Sequence, residues 1–435
     1  MILQKTAISD NFSLSSIHTD KFKTGTLTLS IYLPLTQRDY LLSLLLAGVM
    51  RRGTRSYPSM AMINKRLDEL YAANVDVQSV IHGNILTFCV SAEFLENRFS
   101  IDGTDISANV FDVLSELLLS PLMQNGSFLI HTVESEKTII KDSLLAEKNN
   151  TKLYAATRLK ELMCRSGNIS FPTLEYLLRE ISAITVEELT SFYLKLISTS
   201  PFNAFYVGSE SSESIGEKLL RSFSNHNGTQ TFELSHIKAA TSADFLSVTE
   251  DMPVSQGKLA LGFRTGAVLG SSDDAAAIVL NEVFGATPAS KLFLNVRERS
   301  GLCYYCASSY SLLSGNLTVS SGIDVKNRDR ATDEILAQLD EIRNGNVSDA
   351  ELEVAKRSLE YSYVQIYDSP FSLQSFFSVR DLVGVYETVD ECKARILAVK
   401  KEDVCELARR TVFDTCFFIN GTLSDNEETE EEAYE

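Results

Sequence analysis

The stretch DYLLSLLLAGVMRRGT, residues Asp39 to Thr54, decides the fold of this chain. It predicts a helix that opens at Asp39, runs through an apolar segment and stops at Arg51-Arg52-Gly53-Thr54. The apolar run is about half as long as the ~20 residues that a membrane-spanning helix requires. We therefore predict a helix of a globular domain, and we expect no membrane as a partner.

Composition and charge narrow the class of protein. The 435 residues exceed one comfortable hydrophobic core, so at least two domains are expected. Hydrophobic residues make up 44% of the chain and charged residues 23%, which is typical of a globular protein and not of a disordered one. The formal net charge of −18 argues against a nucleic-acid partner, because phosphates are bound by clustered Lys and Arg.

The cysteines indicate the cellular compartment. There are seven, scattered along the chain, and this odd number favours reduced thiols in the cytoplasm over a disulfide framework. The N-terminal segment MILQKTAISDNF has no charged-then-apolar signal pattern, which agrees with a cytoplasmic localisation. Cys303 and Cys306 have the spacing of a redox motif, but no helix N-terminus precedes them to acidify a thiol. We therefore expect them to be ordinary packing cysteines.

Two pairs of glycines indicate an internal duplication. Gly53 ends the first apolar helix, and Gly285 ends another apolar helix, residues 273–284, after an offset of 232 residues. Gly83 precedes one strand and Gly315 precedes another, again with an offset of 232 residues. Two independent landmarks that share one spacing predict two repeated domains.

Each half of the chain shows the same order of elements. A strand with apolar alternation is followed by the glycine-terminated helix, a second helix entered near a proline, two strands and long amphipathic helices. Capping boxes are predicted at Thr185–Glu188 and at Ser348–Glu351. This order predicts an α+β fold of two repeated domains, each a mainly antiparallel β-sheet with helices packed on one face. The predicted divisions are an N-terminal domain at 1–221, a linker at 222–244, a C-terminal domain at 245–424 and an acidic disordered tail at 425–435.

The sequence contains no pattern for the common enzyme chemistries. No two of the five histidines lie three to five residues apart, so no helix presents a histidine pair to a metal ion. The chain has neither a Gly-x-Ser-x-Gly elbow nor a Walker loop. The segment from Gly262 to Gly266 lacks the Lys-Ser/Thr of a phosphate-binding loop, so we predict only a turn there. A cysteine–histidine hydrolase would have to bring its thiol and imidazole together from distant segments, and no pattern indicates this.

The opening stretch resembles the first helix of the insulinase/pitrilysin-like zinc peptidases, to which mitochondrial processing peptidase is similar. In that family the helix carries His-x-x-Glu-His, followed by an apolar residue, a basic residue and Gly-Thr. The three zinc-site positions fall here on Leu44, Ala47 and Gly48, none of which can bind a metal or polarise a water molecule. The family's third ligand is a glutamate on a later helix. Ser143 stands at that position, and Glu136 lies seven residues before it. The resemblance therefore implies a pseudoenzyme that has no zinc centre of its own.

A second element resembles a substrate-binding motif of the same family. The run Arg297-Glu-Arg-Ser-Gly-Leu-Cys-Tyr304 is similar to the family's Leu-Arg-Glu-x-x-Gly-Leu-x-Tyr element in the C-terminal half. There the arginine and the tyrosine contact the region of the scissile carbonyl, so the resemblance implies substrate binding by Arg297 and Tyr304. A guanidinium and a phenol can both donate hydrogen bonds to a carbonyl oxygen that gains negative charge. The alternative is that Arg297 caps or salt-bridges a helix end and that Tyr304 is an ordinary strand aromatic residue.

The resemblance implies a non-catalytic subunit of a two-chain zinc metallopeptidase. The heterodimer partner would be an active homologue that supplies the zinc, and the two chains would close around a chamber for unfolded peptides. A bound peptide would add as a strand to a sheet edge; Asn74–Ser79 is the candidate, and an ordinary paired strand is the open alternative. A rival function is a structural or assembly pseudopeptidase, linked to modification of elongation factor P, with no role in proteolysis. A third is a standalone hydrolase that uses a different site.

Overall fold

The structure is a computed structural model of the chain, and it describes residues 3–166, 171–223 and 244–423. Among these residues the strands are β1 (Gln4–Ser9), β2 (Phe12–His18), β3 (Thr24–Pro34), β4 (Asn74–His82), β5 (Ile85–Leu95), β6 (Met123–Gln124), β7 (Ser127–Phe128), β8 (Phe202–Gly208), β9 (Leu246–Met252), β10 (Gly257–Arg264), β11 (Cys303–Ser311), β12 (Asn316–Ile323) and β13 (Val412–Gly421). The α-helices are α1 (Gln37–Arg51), α2 (Met60–Glu69), α3 (Ile106–Leu119), α4 (Ile130–Asn149), α5 (Thr151–Met163), α6 (Leu174–Glu180), α7 (Val186–Thr199), α8 (Ser212–Ser222), α9 (Asp274–Asn281), α10 (Arg328–Arg343), α11 (Asp349–Gln365), α12 (Pro370–Leu382), α13 (Val389–Ala398) and α14 (Lys401–Arg410). Within the described part of the chain, none of these helices is both long enough and apolar enough to cross a membrane.

The described residues divide into two compact units. Unit 1 comprises residues 3–144, 171–223 and 365–388, and unit 2 comprises residues 145–166, 244–364 and 389–423. This division differs from the predicted domains 1–221 and 245–424, because α5 belongs to unit 2 and α12 belongs to unit 1. The predicted tail lies outside the described residues, and so does the predicted linker apart from Ser222, Phe223 and Asp244.

Unit 1 is built on a six-stranded sheet with the strand order β1-β2-β8-β3-β5-β4. Neighbouring strands are antiparallel except β2 and β8, which are parallel. Apolar and polar residues alternate along β3, so Leu27, Leu29 and Ile31 are buried on one face. On this face Phe94 of β5 meets Phe111 of α3, with ring centroids 5.8 Å apart. The apolar core of unit 1 therefore lies between this face of the sheet and its helices.

The opposite face of the same sheet carries hydroxyl groups and is covered by α12. Thr28 and Ser30 alternate with the core residues of β3 and so point away from the core. Gln374 of α12 donates a hydrogen bond from Nε2 to Thr28 Oγ1 at 2.5 Å. α12 begins at Pro370, and the hydroxyl of its N-cap residue Ser369 accepts a backbone N–H of the first turn. A helix from the C-terminal part of the chain thus completes unit 1.

Unit 2 contains a five-stranded sheet in the order β11-β12-β10-β13-β9. Strand by strand this order matches β4-β5-β3-β8-β2 of unit 1, and β9 is parallel to β13 just as β2 is parallel to β8. Gly83 and Gly315 lie in the corresponding hairpins with φ values of 64° and 65°, which residues other than glycine rarely adopt. The two units therefore share one sheet topology, to which unit 1 adds β1 at an edge.

The second face of the unit 2 sheet is covered by α5, which comes from the N-terminal part of the chain. Tyr154 of α5 packs on Phe417 of β13 with ring centroids 6.3 Å apart. Met163 at the end of α5 fills the space beside Gly262, where a Cβ would collide with its sulfur atom. Gly262 therefore lies inside β10 and not in the turn that we predicted, whereas Gly266, with φ of 74°, follows the strand. The predicted α+β fold is confirmed, with one additional helix on the second face of each sheet.

Unit 2 has π-helical segments where the repeat predicts ordinary helix. α9 ends at Asn281, and a π-helical turn continues from it to Ala286. The second helix of the repeat, expected after Pro288, is a π-helical segment at Leu292–Arg299. Both segments pack against β11. π-Helical turns are rare and frequently occur at functional sites, so this part of unit 2 is of particular interest.

The two predicted capping boxes differ in completeness. At α11 the Ser348 hydroxyl accepts from the Glu351 amide at 3.2 Å, and the Glu351 carboxylate accepts from the Ser348 amide at 2.8 Å, so this box is reciprocal. At α7 the Thr185 hydroxyl accepts from the Glu188 amide at 3.2 Å, but the Glu188 carboxylate accepts from Arg38 Nε at 2.8 Å. A tertiary ion pair therefore takes the place of half of the local motif.

Candidate functional site

Helix α1 presents the three positions that correspond to the zinc motif. The helix begins after Thr36, whose hydroxyl accepts from the Asp39 amide at 2.9 Å. Leu44 is half-buried, Ala47 is 3% exposed and Gly48 is buried. Aliphatic side chains and a glycine offer no ligand atom, so these positions cannot contribute to a metal centre.

A carboxylate and a guanidinium lie beside Gly48 and form what we call the closed site, consisting of Gly48, Arg52 and Glu136. Glu136 of α4 is 4% exposed, and a Cβ added at Gly48 would collide with its Oε2 atom. Its other carboxylate oxygen accepts a hydrogen bond from Arg52 Nε. Arg52 follows Gly48 by about one helical turn, which places both on the same side of the helix. The charge of the buried carboxylate is thus balanced by a side chain of the protein itself.

The remaining ligand position does not complete a metal site either. Ser143 is exposed on α4, and its neighbour Asp142 is exposed as well. In residues 3–166, 171–223 and 244–423 no group of three or more His, Cys, Asp and Glu side chains could hold a metal ion. Glu136 is the carboxylate beside Gly48, and Arg52 already binds it. The residues present therefore do not fit a zinc ion.

Arg297 belongs to the π-helical segment Leu292–Arg299 of unit 2. Its side chain is 40% exposed, and its Nε atom lies 3.6 Å from Glu298 Oε1. The guanidinium carbon lies 4.7 Å from the centroid of the Phe293 ring, which supports it by a cation–π contact. The segment ends where the Leu302 amide donates to the Val296 carbonyl at 3.2 Å. The guanidinium is therefore oriented by neighbours on its own segment, while a large part of it faces solvent.

Tyr304 lies on β11, just beyond that segment, and is 56% exposed. The pairing of β11 with β12 joins Cys303 to Ile323 and Tyr305 to Gly322, so the register shifts by one residue at Tyr304. This arrangement is a β-bulge, which redirects side chains and is common next to functional sites. The Tyr304 hydroxyl donates to Asp324 Oδ1 at 2.9 Å. We call Arg297 and Tyr304 together the Arg–Tyr element.

The segment Asn74–Ser79 lies in β4, the last strand of the unit 1 sheet next to β5. Edge strands of this kind can accept a peptide by strand addition. The Val77 amide, however, donates to the Asp76 carboxylate at 2.8 Å. Arg51 Nη1 and Gln78 Nε2 donate to the same carboxylate, at 3.1 Å and 2.6 Å. A carboxylate therefore protects one backbone donor of this edge, a device that limits unwanted strand pairing.

The chain resembles known proteins along most of its length. Residues 183–359 match the family model described as "Peptidase M16 inactive domain". The "Probable inactive metalloprotease YmfF" of Bacillus subtilis (strain 168) is 29% identical over 407 residues, which cover 93% of this chain and 95% of that protein. Residues 183–359 are thus similar to an M16 inactive domain, and the chain resembles an inactive metalloprotease along almost its whole length. M16 is the insulinase/pitrilysin-type family that the first helix resembles.

Two further proteins resemble part or all of the chain. The "Uncharacterized zinc protease YmxG", also of Bacillus subtilis (strain 168), is 31% identical over 166 residues, which cover 38% of this chain and 40% of that protein. A conserved protein of Enterococcus faecalis V583, whose crystal structure is known, superposes with a TM-score of 0.90 at 26% identity over 98% of this chain and 100% of that chain. The chain is an inactive M16 metallopeptidase-like protein, that is, a pseudoenzyme.

The structure adds residues to the site that the sequence did not reveal. The M16 register located Gly48 and Glu136, but not the ion pair of Glu136 with Arg52. The sequence also did not reveal the role of the Asp76 carboxylate on the edge strand, although it contains both Asp76 and its oppositely charged partner Arg51. No local signal could have paired these residues, because α1 meets α4 and β4 only through the fold of unit 1.

Proposed function

We propose that this M16 chain is the non-catalytic subunit of a two-chain zinc metallopeptidase. It would form a heterodimer with an active homologue, contribute half of the peptide chamber and bind unfolded peptide through Arg297 and Tyr304. Zinc would be present in the partner alone. The observation that carries the proposal is a contrast within one chain. The positions of the zinc motif on α1 are aliphatic or glycine, while both donors of the Arg–Tyr element are present and at least partly exposed.

The geometry of the Arg–Tyr element supports this role. A substrate carbonyl needs donors that are oriented in advance and still accessible, because donors fixed before the reaction stabilise developing negative charge most effectively. Arg297 is oriented by the Phe293 ring, and Tyr304 is oriented by Asp324. Both side chains remain substantially exposed.

The relatives support a pairing of two chains. One organism, Bacillus subtilis, has an M16 relative named as an inactive metalloprotease and another named as a zinc protease. This chain is similar to both. A genome that carries an inactive and a zinc-bearing member provides the two components that the proposal needs.

The decisive experiment is a reconstitution. The purified chain is mixed with an M16 homologue that carries His-x-x-Glu-His, and the cleavage of an unfolded fluorogenic peptide is measured. We expect the mixture to cleave the peptide and the chain alone not to. Arg297→Ala should lower kcat by about 10²–10³-fold, the typical effect of removing one donor to a developing oxyanion. Tyr304→Phe should lower it in the same direction.

Arg299→Ala provides the matched control. Arg299 lies on the same π-helical segment and is exposed, but it is outside the Arg–Tyr element, so its loss should leave kcat unchanged. Size-exclusion chromatography of each mixture separates loss of assembly from loss of turnover. A stable complex whose turnover is indifferent to both Arg297→Ala and Tyr304→Phe would instead support a structural or assembly pseudopeptidase, the alternative linked to elongation factor P modification.

The peptide would bind by strand addition to β4. The Asp76 carboxylate holds the Val77 amide, so an incoming strand would displace it at that position. We place the complex in the cytoplasm, since the seven cysteines all have free thiols.

A further inference from the structure

The bulge at Tyr304 also changes the relation between the two cysteines of the Cys-x-x-Cys sequence. Residues three apart on a regular strand point to opposite faces of a sheet, because side chains alternate. Here Cys303 pairs with Ile323 and Cys306 pairs with Ser321 on β12. Ile323 and Ser321 are two residues apart and therefore lie on one face. The extra residue at 304 thus brings both thiols to the same face of the sheet.

That face is the one covered by the π-helical segment Leu292–Arg299, since β11 packs against this segment. Ile323 and Ser321 are fully buried there. Cys306 is 4% exposed, whereas Cys303 lies half-buried at the end of the strand. One thiol of the pair can therefore meet a small reagent from solvent, while the other is held behind it.

The two thiols lie on the same face of the sheet and differ in acidity. The thiol of Cys306 donates a hydrogen bond to Cys303, and this bond lowers the pKa of Cys303. Burial acts to raise that pKa, but the hydroxyl of Ser321 and the charge of Arg297 lower it further, so that the net direction is downward. The hydrogen bond to Cys303 and burial raise the pKa of Cys306 well above its ordinary value. The thiolate is therefore favoured at the more accessible sulfur.

Other cysteines of the chain lack this arrangement. Burial raises the pKa of Cys89 to about 12, and burial also raises the pKa of Cys164, Cys405 and Cys416. Cys392 is buried and donates to the Tyr363 hydroxyl at 3.3 Å. These thiols are therefore expected to react slowly with oxidants.

We propose that Cys303 and Cys306 form a reversible dithiol–disulfide site whose oxidising substrate is a hydroperoxide. The Cys303 thiolate attacks the O–O bond, so that an S–O bond forms, the O–O bond breaks and hydroxide leaves, or alkoxide from an organic peroxide. The Cys306 thiol then attacks the sulfenic sulfur, the S–S bond forms, the S–O bond breaks and water leaves. The two thiols supply the two electrons that reduce the peroxide. A cellular dithiol reverses the reaction by thiol–disulfide exchange.

The dithiol site adjoins the Arg–Tyr element. Tyr304 is one of the two residues enclosed by the disulfide ring, and Arg297 is close enough to Cys303 to lower its pKa. A covalent bond across the bulge fixes the backbone on both sides of Tyr304. Where the proposed peptidase role holds, oxidation would therefore change how this tyrosine is presented, but disulfide formation itself does not depend on that role.

The test uses the full chain, reduced and then treated with hydrogen peroxide. Mass spectrometry of the peptide that contains residues 303–306 should show the loss of two hydrogens, and dithiothreitol should restore it. In Cys306→Ala the reaction should stop at the sulfenic acid of Cys303, which a dimedone-type reagent traps. In Cys303→Ser neither product should form at this segment. Cys405→Ser should behave like the unaltered chain, and circular dichroism verifies the fold of each variant.

The rate of alkylation gives an independent measurement. At pH 7 Cys303 should react with iodoacetamide at least about 10-fold faster than Cys164, because more of it is thiolate. Cys306→Ala should slow that reaction, since it removes the hydrogen bond that stabilises the thiolate. If peroxide oxidises Cys164 before Cys303, or if the disulfide fails to form although Cys303 becomes sulfenic acid in the unaltered chain, the proposal is wrong.

Discussion

The closed site of unit 1 and the Arg–Tyr element of unit 2 use charge in opposite ways. In the closed site Glu136 is 4% exposed and binds Arg52, in the space beside Gly48. In the Arg–Tyr element, Arg297 and Tyr304 are 40% and 56% exposed and are oriented by neighbours at the surface.

The difference shows how one chain can bury one set of charged groups and leave another set accessible. A buried carboxylate must be balanced by a nearby cation, or it destabilises the fold. Once metal ligands are absent, an arginine such as Arg52 can provide that balance, and the region then contributes to stability. Exposed donors require no such balance, so the Arg–Tyr element can remain available without a cost in stability. The comparison therefore predicts that substitutions in the two regions affect different measurements.

The largest loss of stability is expected at an ion pair that is more deeply buried than either region. In unit 2, Arg264 is 5% exposed and Asp414 is fully buried, and Nε lies 2.9 Å from Oδ1. Asp414→Asn leaves the buried guanidinium without its counter-charge and should lower the free energy of unfolding by about 3–5 kcal/mol. Urea denaturation at pH 7 measures this. If Asp414→Asn lowers the free energy of unfolding by less than Arg52→Ala does, the more deeply buried ion pair is not the more stabilising one, and this prediction is wrong.

The effect of Asp414→Asn should depend on pH in a defined direction. Burial acts to raise the pKa of Asp414, but hydrogen bonds from Arg264 and Thr415 outweigh it, and the pKa lies below its ordinary value of 3.8. Because the folded-state pKa is below the unfolded-state pKa, the carboxylate contributes its full stabilisation above about pH 4 and loses it as pH falls through the folded-state pKa. The difference in unfolding free energy between the unaltered chain and the variant should therefore shrink in acid. A difference that stays constant from pH 7 to pH 3 contradicts this account.

The closed site should show an intermediate loss of stability. Arg52→Ala leaves the Glu136 carboxylate buried without a partner and should cost about 1–3 kcal/mol, less than a fully buried pair because Arg52 itself is partly exposed. Arg51→Ala is the matched control on the neighbouring residue. The side chains of its ion pair with Asp76 are 50% and 35% exposed, so the loss should stay below about 1 kcal/mol. Equal losses of stability in the two variants would show that the buried Glu136 carboxylate is not stabilised by Arg52.

The effect of Gly48→Ala on stability should have opposite signs in the unaltered chain and in the Glu136→Ala variant. In the unaltered chain the new Cβ collides with Glu136 Oε2, and we expect a loss of about 1 kcal/mol from this overpacking. In Glu136→Ala the obstacle is gone, and alanine in place of glycine inside a helix should then stabilise by about 0.5–1 kcal/mol. A double-mutant cycle by urea denaturation measures both values. The same sign in both backgrounds would mean that the carboxylate does not fill this space.

The Arg–Tyr element should show the smallest effect on stability. Arg297→Ala removes a partly exposed ion pair and a ring contact, so the midpoint of thermal unfolding should change little and the free energy by less than about 1 kcal/mol. Differential scanning fluorimetry measures the unfolding midpoint, and the turnover of the reconstituted mixture is measured in parallel. A large loss of stability would mean that Arg297 has the structural role of a helix-end residue, the alternative that the sequence left open.

The local elements of the fold followed from sequence patterns. The stretch at Asp39–Thr54 predicted a helix, and α1 spans Gln37–Arg51. The strand with apolar alternation that was predicted before the glycine-terminated helix of each half appears as β3 and as β10. Apolar alternation is set by the faces of a single strand, so it can be read without knowledge of the neighbouring strands. The π-helical segment after Pro288 was not foreseen, because its sequence is compatible with an ordinary helix.

The amino-acid sequence by itself determined that the zinc-motif positions Leu44, Ala47 and Gly48 carry no ligand atoms, because that is a property of residue identity. Only the tertiary structure decided what replaced the lost site and where the reactive groups lie. Arg52 and Glu136 are 84 positions apart and meet because α1 packs beside α4. Cys303 and Cys306 share a face because the register with β12 shifts by one residue between them. Such contacts depend on elements distant in the chain, and local patterns do not encode them.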